Sequence, residues 1–388
     1  MSGVGKPSYT LRALERVRDV PRESWDAMVG AESSPFVEWT WLDALEETRC
    51  VGAETGWIPC HLSLWRDDQL VAVAPSYIKG HSEGEFVFDW SWAEFAERIG
   101  VPYYPKVVVA VPFTPATGDR VLVRPGQDRA EITRVIASAA RAWCQRVGAS
   151  SVHVLFPREE EARAWEAGGY LRRDGLQFRW FRGEASTFSD YLARFSSKQR
   201  NQIKRELRGV AERGVTVETL NPEEHTVDIA RVMHSLYAST IDKHGVWGRM
   251  YLNEAFFERI VERFRDRLAW VVARDQRSGE IVGGAFNVVR GGRLYGRYWG
   301  ARAEVPFLHF AVCYYAGIRF CLDRGLDVFE PGAGGEHKRA RGFVPTRTHS
   351  AHWLADGHLR RALGPWLERE RERVAAAIAE ASPGEDPT

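Results

Sequence analysis

The sequence has 388 residues, of which 44% are hydrophobic and 12% aromatic, so it contains enough apolar material for two domains with packed cores. Lys and Arg total 53 against 52 for Asp and Glu, and this balance excludes a globally basic nucleic-acid-binding protein. Met1 to Thr10 contain no apolar signal segment, and no stretch approaches the roughly 20 apolar residues of a membrane helix, so we expect a cytoplasmic protein without membrane insertion. The five cysteines are dispersed, and His349 and His352 lack an HExxH context, so we expect no metal site.

The first half of the chain is predicted to form a helical region, a β-hairpin and a strand–helix–strand unit. Strand-like runs on both sides of the polar turn Asp67-Asp68 indicate the hairpin. Ile132, Val135 and Ile136 share one face of an amphipathic helix. The predicted elements are, in order, the helical region Trp25–Thr48, the strands His61–Trp65, Leu70–Ser76 and Arg120–Val123, the helix Asp128–Val147 and the strand Ser151–Phe156.

The second half repeats this order of elements. Glycine-containing turns separate three runs of strand residues, and Gly325 is placed to end the helix before it. The predicted elements are the helices Val227–Ile241 and Glu254–Phe264, the strands Ala269–Ala273, Ile281–Val289 and Leu294–Gly300, the helix Phe310–Asp323 and the strand Asp327–Phe329.

Two further helices are predicted outside these repeats. Ala185–Gly214 carries an apolar stripe at helical spacing, Pro365–Glu380 is rich in Arg and Glu, and the Pro/Gly/acidic tail Ser382–Thr388 is expected to be disordered. The repeated order resembles two GNAT modules in tandem, each a mixed, mostly antiparallel sheet flanked by helices, in the α/β (α+β) class. The predicted domains are residues 1–183 and 184–364, followed by a terminal region, 365–388.

Several aromatic-rich strings are unusual for ordinary secondary structure. They are Phe88-Asp89-Trp90-Ser91-Trp92, Tyr103-Tyr104-Pro105-Lys106, Val111-Pro112-Phe113-Thr114-Pro115, Leu155-Phe156-Pro157, Gly296-Arg297-Tyr298-Trp299-Gly300, Glu330-Pro331-Gly332-Ala333, Glu336-His337-Lys338 and Arg341-Gly342-Phe343. Together they resemble, over nearly the whole chain, the FemAB-like family of peptidoglycan biosynthesis or recognition proteins. The resemblance implies an N-acyltransferase that modifies a primary amine on a small molecule, peptide or cell-wall precursor.

The resemblance also implies the donor and part of the site. The similar Fem transferases take an amino acid from aminoacyl-tRNA, so we expect aminoacyl-tRNA or acyl-CoA as the donor and no permanently bound cofactor. In Fem enzymes a lysine shortly before a Gly-Phe pair stabilises the charge of the reaction, which implies Lys338. The spacing to Gly342 is longer here than in Fem sequences, so Arg341 is the alternative.

Acyl transfer to an amine requires a base, a positioned carbonyl and a group that faces the oxyanion. The segment Glu330–Phe343 follows a predicted strand and contains glycines that let backbone N–H groups approach a ligand. Glu330, Glu336 and His337 are alternative bases, and Lys338 would face the oxyanion. A tight turn followed by a solvated charged surface is the competing interpretation of this segment.

The neighbouring strand places cationic, hydroxyl and aromatic groups in one run, Arg297, Tyr298 and Trp299, as candidate substrate-binding residues. Tyr298 and Trp299 must face opposite sides of a regular strand, so one of them is expected in the core.

In the first half, Asp89, Tyr103, Tyr104 and Lys106 are candidate substrate-binding residues, and the last three, together with Thr114, would line the acceptor side of a cleft between the domains. Packing of these aromatic runs in the core is the alternative.

Fem enzymes carry a Lys/Arg-rich helix beside the second module, which is resembled here by the residues from Ser197 to Arg205. Arg200, Lys204 and Arg208 recur at i, i+4 and i+8 on one helix face, with Lys198 and Arg205 nearby, and we call these five residues the basic stripe. Lys198, Arg200, Lys204 and Arg205 are its candidates for binding phosphates of tRNA, of CoA or of a nucleotide-linked precursor. An ordinary solvated helix face is the alternative.

Neither half contains the Q/RxxGxG/A loop by which GNAT enzymes hold the CoA pyrophosphate. This absence favours a bulkier donor such as aminoacyl-tRNA and leaves long-chain acyl donors open. It is also consistent with a different function, a recognition module for peptidoglycan or peptides that has lost catalysis.

Overall fold

The computed structural model describes residues 9–244 and 249–381, without the side chains of residues 242–244, 336 and 381. The predicted disordered tail, Ser382–Thr388, lies outside this range. The helices are α1 (Arg22–Asp26), α2 (Trp39–Glu47), α3 (Trp90–Arg98), α4 (Arg129–Arg146), α5 (Glu159–Ala167), α6 (Phe188–Ala193), α7 (Ser197–Ala211), α8 (Val227–His244), α9 (Glu254–Arg263), α10 (Leu308–Phe310), α11 (Ala316–Arg324) and α12 (Gly357–Ala381), with a π-helical segment (Ala311–Tyr315) between α10 and α11 and a 3-10 helix (Glu336–Arg341) before the last strand.

The strands include the predicted hairpins and strand–helix–strand units of both halves. They are β1 (Thr10–Leu14), β2 (Trp57–Pro59), β3 (His61–Arg66), β4 (Gln69–Ala74), β5 (Ser76–Lys79), β6 (Lys106–Val109), β7 (Leu122–Val123), β8 (Ser151–Leu155), β9 (Leu171–Phe181), β10 (Val215–Thr219), β11 (Val271–Asp275), β12 (Ile281–Arg290), β13 (Arg293–Ala301), β14 (Val328–Glu330) and β15 (Val344–Leu354). Gly325 ends α11 with a left-handed φ of 65°, as predicted.

The chain forms two compact units whose limits differ from the predicted boundaries. Among the described residues, unit 1 contains those up to Gly175 and Arg347–Ala377, and unit 2 contains those between Leu176 and Thr346 and those from Ile378. The changes between units fall inside β9, β15 and α12, where the composition gives no sign of a linker. Most of α12 belongs to unit 1 because Leu359, Leu363 and Leu367 pack in one cluster with Trp92.

Unit 1 is built on two sheets. In one, the strand order is β1-β3-β4-β7 and all pairs are antiparallel; in the other, β15, β8, β6, β5 and β2 are neighbours and only β8–β6 is parallel. The α4 residues Ile132 and Ile136 pack in one core cluster with the strand residues Leu62, Val107 and Val152. This arrangement buries the apolar face that the sequence predicts for α4.

Unit 2 contains one sheet with the order β10-β11-β12-β13-β14-β9, in which only the β13–β14 pair is parallel. Helix α8 lies close to β13 at Gly300, where an added Cβ would lie 1.7 Å from the Leu236 carbonyl oxygen. Only glycine permits this approach. The parallel β13–β14 pair places the chain after β14 beside the end of β13.

Two predicted helical regions are wrong in extent. The region Trp25–Thr48 is interrupted between α1 and α2, where Ser34 is extended before Pro35. The predicted helix Ala185–Gly214 is two helices, α6 and α7, because Ser196 begins α7 with a capping box to Gln199.

The last helix begins at Gly357 rather than Pro365, since Asp356 Oδ1 accepts a hydrogen bond from Leu359 N at 2.7 Å. Within the described ranges, no helix combines the length and apolar character needed to cross a membrane.

Candidate active site

A cavity of about 250 Å³ in unit 2 contains five of the predicted site residues. It lies between β13, the loop after β14 and the π-helical segment. The predicted residues that line it are Arg297, Tyr298, Trp299, His337 and Lys338. Pairing of β13 with β14 brings together segments that lie far apart in the sequence.

The loop after β14 lines this cavity with Gly332, Ala333, Gly334 and Gly335. Gly332, Gly334 and Gly335 have φ values of 86°, 70° and 90°, which other residues rarely adopt. Within the described part of the chain, none of the N–H groups of residues 332–335 donates a hydrogen bond to the protein. Successive free N–H groups in such a loop form a typical site for an anionic oxygen.

Lys338 is the buried cation of the cavity, with only 2% of its surface exposed. Its Nζ donates hydrogen bonds to the carbonyl oxygens of Gly332 at 2.8 Å and Ala333 at 3.3 Å. Desolvation lowers the pKa of Lys338 to about 8. The ammonium therefore has one proton left for a ligand and is close to its titration point at neutral pH.

His337 and Tyr314 form a hydrogen-bonded pair in the cavity lining. The Tyr314 hydroxyl and His337 Nε2 lie 2.8 Å apart, and burial raises the pKa of Tyr314, so the hydroxyl remains protonated and donates. Partial desolvation, together with the charges of Arg341 and Lys338, lowers the pKa of His337. His337 is therefore neutral at pH 7 and able to accept a proton.

The other two candidate bases are placed differently. Glu330 does not line the cavity and is 5% exposed. Its carboxylate lies 3.3 Å from Arg293 and 3.4 Å from Arg179, so the geometry does not favour it as a base. The side chain of Glu336 lies outside the described part of the structure.

Arg341 supports the loop and does not line the cavity. It donates to the His337 carbonyl oxygen at 2.8 Å and pairs with Glu206 at 2.7 Å. Glu206 is 1% exposed, lies on α7 and also accepts a hydrogen bond from Tyr315. Arg341 thus ties α7 to the loop that carries His337 and Lys338.

A β-bulge shapes the strand side of the cavity. Phe286 pairs with Tyr298 and Asn287 pairs with Gly296, which leaves Arg297 as the extra residue on β13. Tyr298 packs against Tyr237 with ring centroids 4.7 Å apart, whereas the Trp299 ring lies 4.6 Å from that of His309. Tyr298 thus packs against α8, but both side chains are half-buried and line the cavity, so the prediction that one of them lies in the core is wrong.

The cavity residues that were not predicted include Asn287, His309 and Tyr314. Desolvation lowers the pKa of His309 to about 4, so it is neutral. Tyr314 belongs to the π-helical segment, and such segments are frequent at functional sites. Asn287 could have been found from the sequence, because it is a polar residue within an otherwise apolar run that predicts a strand.

The candidate residues of the first half form a buried network in unit 1. Lys106 Nζ donates to Asp89 at 2.6 Å, Glu85 at 2.9 Å and Ser82 at 2.8 Å, and the Tyr103 hydroxyl donates to Asp89 at 2.6 Å. Lys106 and Asp89 are at most 1% exposed, so they bind each other rather than a ligand in this arrangement.

Tyr103 and Tyr104 also line an open surface groove of about 630 Å³, so ligand contact through these tyrosines stays a prediction.

The two histidines of the HxxH pair, His349 and His352, each have a polar partner within unit 1. His349 Nδ1 lies 2.9 Å from Asp174, and His352 Nδ1 lies 2.7 Å from His153.

The basic stripe lies on α7. Lys198, Lys204 and Arg205 are exposed, and within the described residues neither lysine has an ion-pair partner. The Arg200 guanidinium already donates hydrogen bonds within the protein, to Phe195 O and to Ser197 Oγ. The stripe is therefore accessible, and its binding of donor phosphates stays a prediction.

Comparison with solved structures supports the fold. FemX is 12% identical, with 89% of this chain and 98% of FemX covered and a TM-score of 0.54. The C-terminal domain of a putative lysylphosphatidylglycerol synthetase from Agrobacterium fabrum is 12% identical, with coverage of 93% and 98% and a TM-score of 0.53. A tandem GNAT protein from the clavulanic acid biosynthesis pathway, solved without AcCoA, is 13% identical, with coverage of 90% and 99% and a TM-score of 0.45. At these identities the first two similarities show a shared fold alone.

Comparison with sequences identifies the family. No curated protein matches the chain. Residues 16–385 match the model of the FemAB-like family, described as peptidoglycan biosynthesis/recognition. The predicted fold class, a mixed α/β fold with sheets flanked by helices, is confirmed. The protein belongs to the FemAB-like family of peptidoglycan biosynthesis/recognition proteins.

Proposed function

We propose that this protein is an N-acyltransferase that passes an acyl or aminoacyl group to a primary amine of a peptide-like or cell-wall-precursor acceptor. The observation that carries the proposal is the presence, in one cavity, of a neutral His337–Tyr314 pair and the Lys338 ammonium. These groups supply the base and the oxyanion partner that acyl transfer requires. Family membership supports the peptidoglycan-related acceptor.

In this reaction the acceptor amine attacks the donor carbonyl carbon, and a C–N bond forms. The carbonyl oxygen becomes an oxyanion that faces the Lys338 ammonium and the free N–H groups of the Gly332–Gly335 loop. The amine proton passes to the Tyr314 oxygen while the Tyr314 proton passes to His337 Nε2. His337 then returns a proton through Tyr314 to the leaving oxygen or sulfur as its bond to carbon breaks.

The donor is proposed to be aminoacyl-tRNA or acyl-CoA, whose phosphates the basic stripe on α7 would bind. The support for this part is the accessibility of Lys198, Lys204 and Arg205. Such contacts fix the position of a donor without selecting its acyl group.

The test incubates the protein with each donor and a primary-amine peptide, followed by mass spectrometry of the peptide. We expect an acylated peptide with one donor, and a loss of rate of about 10²–10⁴-fold in His337→Gln. His358→Gln, which changes an exposed histidine of unit 1, is the matched control and keeps the full rate. Binding of the peptide with no acylated product from any donor would favour a recognition module.

A further inference from the structure

Asn287 is a buried polar residue whose side chain has no partner in the protein. It is 2% exposed and lines the cavity. Its backbone carbonyl accepts a hydrogen bond from Ala269 N at 3.0 Å, but across the described residues its carboxamide makes no hydrogen bond. Its Oδ1 and Nδ2 are not among the fully enclosed side-chain atoms that lack a partner within the described residues, so the carboxamide is reached from the cavity and is available to a ligand there.

The local backbone keeps this carboxamide open to the cavity. Asn287 faces Gly296 across the bulge at Arg297. A Cβ at Gly296 would lie 3.3 Å from Asn287 Oδ1 and 3.2 Å from Pro331 Cα, so any other residue would crowd the amide. The bulge and the glycine together leave room for a ligand group beside Asn287.

Asn287 offers a chemistry that the charged groups of the cavity lack. Lys338, when charged, and Arg297 donate hydrogen bonds but cannot accept them. The free N–H groups of the loop are likewise donors only. The Asn287 carboxamide both donates through Nδ2 and accepts through Oδ1. Its natural complement is a planar group with one N–H and one carbonyl oxygen side by side.

We propose that Asn287 binds a peptide amide of the acceptor, so that the acceptor is a peptide with a secondary amide close to its reacting amine. The inference rests on the proposed function only in placing the acceptor in this cavity. Asn287 is then a specificity-determining residue: a ligand without the amide N–H leaves Oδ1 unpaired, and sites of this kind reject such analogues strongly.

The test compares two probes that differ in one group: the dipeptide L-alanyl-L-alanine and its ester analogue L-alanyl-L-lactate. Affinities are measured by calorimetry or ligand-observed NMR without a donor. We expect wild type to bind the amide at least about tenfold more tightly than the ester. Asn287→Leu should bring this ratio close to one, whereas Asn287→Asp, which keeps an acceptor oxygen, should retain a preference for the amide.

Folding is checked by the melting temperature, which Asn287→Leu should not lower because no hydrogen bond within the protein is lost. An unchanged amide-to-ester ratio in Asn287→Leu, equal binding of the two probes by wild type, or no binding of either would overturn the proposal. If wild type prefers the amide and Asn287→Leu loses that preference, but no donor gives acyl transfer, the proposed function is overturned and the role of Asn287 stands.

Discussion

Lys106 and Lys338 are both almost fully buried, yet their surroundings are opposite. Lys106 is held by Glu85 and Asp89, and although desolvation alone would lower its pKa, the two carboxylates outweigh that effect and raise it. Lys338 has backbone carbonyls as its hydrogen-bond acceptors, and desolvation lowers its pKa to about 8. Burial alone therefore does not distinguish the two lysines, whereas the presence or absence of a carboxylate partner does.

The largest effect on stability is expected at Lys106. Lys106→Met leaves Asp89 buried without its cation and Glu85 with Lys79 as its remaining partner, 3.3 Å away, so the free energy of unfolding should fall by about 3–5 kcal/mol. Urea unfolding measures this change, and Lys338→Met provides the comparison, with an expected change within about 1 kcal/mol. Equal losses in the two variants would remove the distinction between the two lysines.

The largest effect on activity is expected at Lys338. Lys338→Met removes the cation that faces the oxyanion, so kcat should fall by about 10²–10³-fold with little change in melting temperature. Arg339→Met is the matched control, because Arg339 is exposed, adjacent and outside the cavity lining. Normal turnover in a folded Lys338→Met protein would contradict the assignment.

The lowered pKa of Lys338, which distinguishes it from Lys106, should also appear in the pH dependence of activity. The Lys338 cation is present below pH about 8 and lost above it, so kcat should decline on the alkaline side by about tenfold per pH unit. His337, whose pKa is below its usual value, becomes protonated only in acid and limits the opposite side. In Lys338→Arg the guanidinium stays charged, and the alkaline decline should disappear. An alkaline decline that survives this substitution would assign it to another group.

The smallest effects are expected at the exposed lysines of the basic stripe. Lys198→Ala and Lys204→Ala should change unfolding by no more than about 0.5 kcal/mol. If tRNA binds there, each should reduce the slope of log affinity against log salt by about 0.7–0.9. Arg277→Ala, at an exposed turn of unit 2, is the control for a general charge effect. Identical slopes for all variants would exclude the stripe from tRNA binding.

Local signals in the sequence predict most of the fold. The turn Asp67-Asp68 joins β3 to β4, and Asp128 caps α4 through Glu131 N at 3.0 Å. The capping box at Ser196 was also readable, but the apolar stripe that continues through it favoured one long helix. The unit limits were not readable, because they fall inside two strands and a helix, where packing rather than composition decides the division.

The candidate site was predictable only in part, for a similar reason. The run around Lys338 stood out by composition, and the structure places Arg297, Tyr298 and Trp299 beside it. Sequence could not distinguish Glu330 from His337 as the base, because Arg179 and Arg293, which hold Glu330, are distant in the chain. Lys106 had the same appearance as Lys338 in the sequence, and only the partners contributed by folding separate them.

The Glu206–Arg341 ion pair has a thermodynamic consequence. It joins the helix that carries the basic stripe to the carbonyl oxygen of His337 through two contacts of 2.7 and 2.8 Å. A ligand on the basic stripe that changed the position of α7 would therefore also change the energy of the loop that carries His337 and Lys338. Thermodynamic linkage makes such an effect reciprocal. If a bound donor increases the affinity for the acceptor, then a bound acceptor increases the affinity for the donor by the same factor.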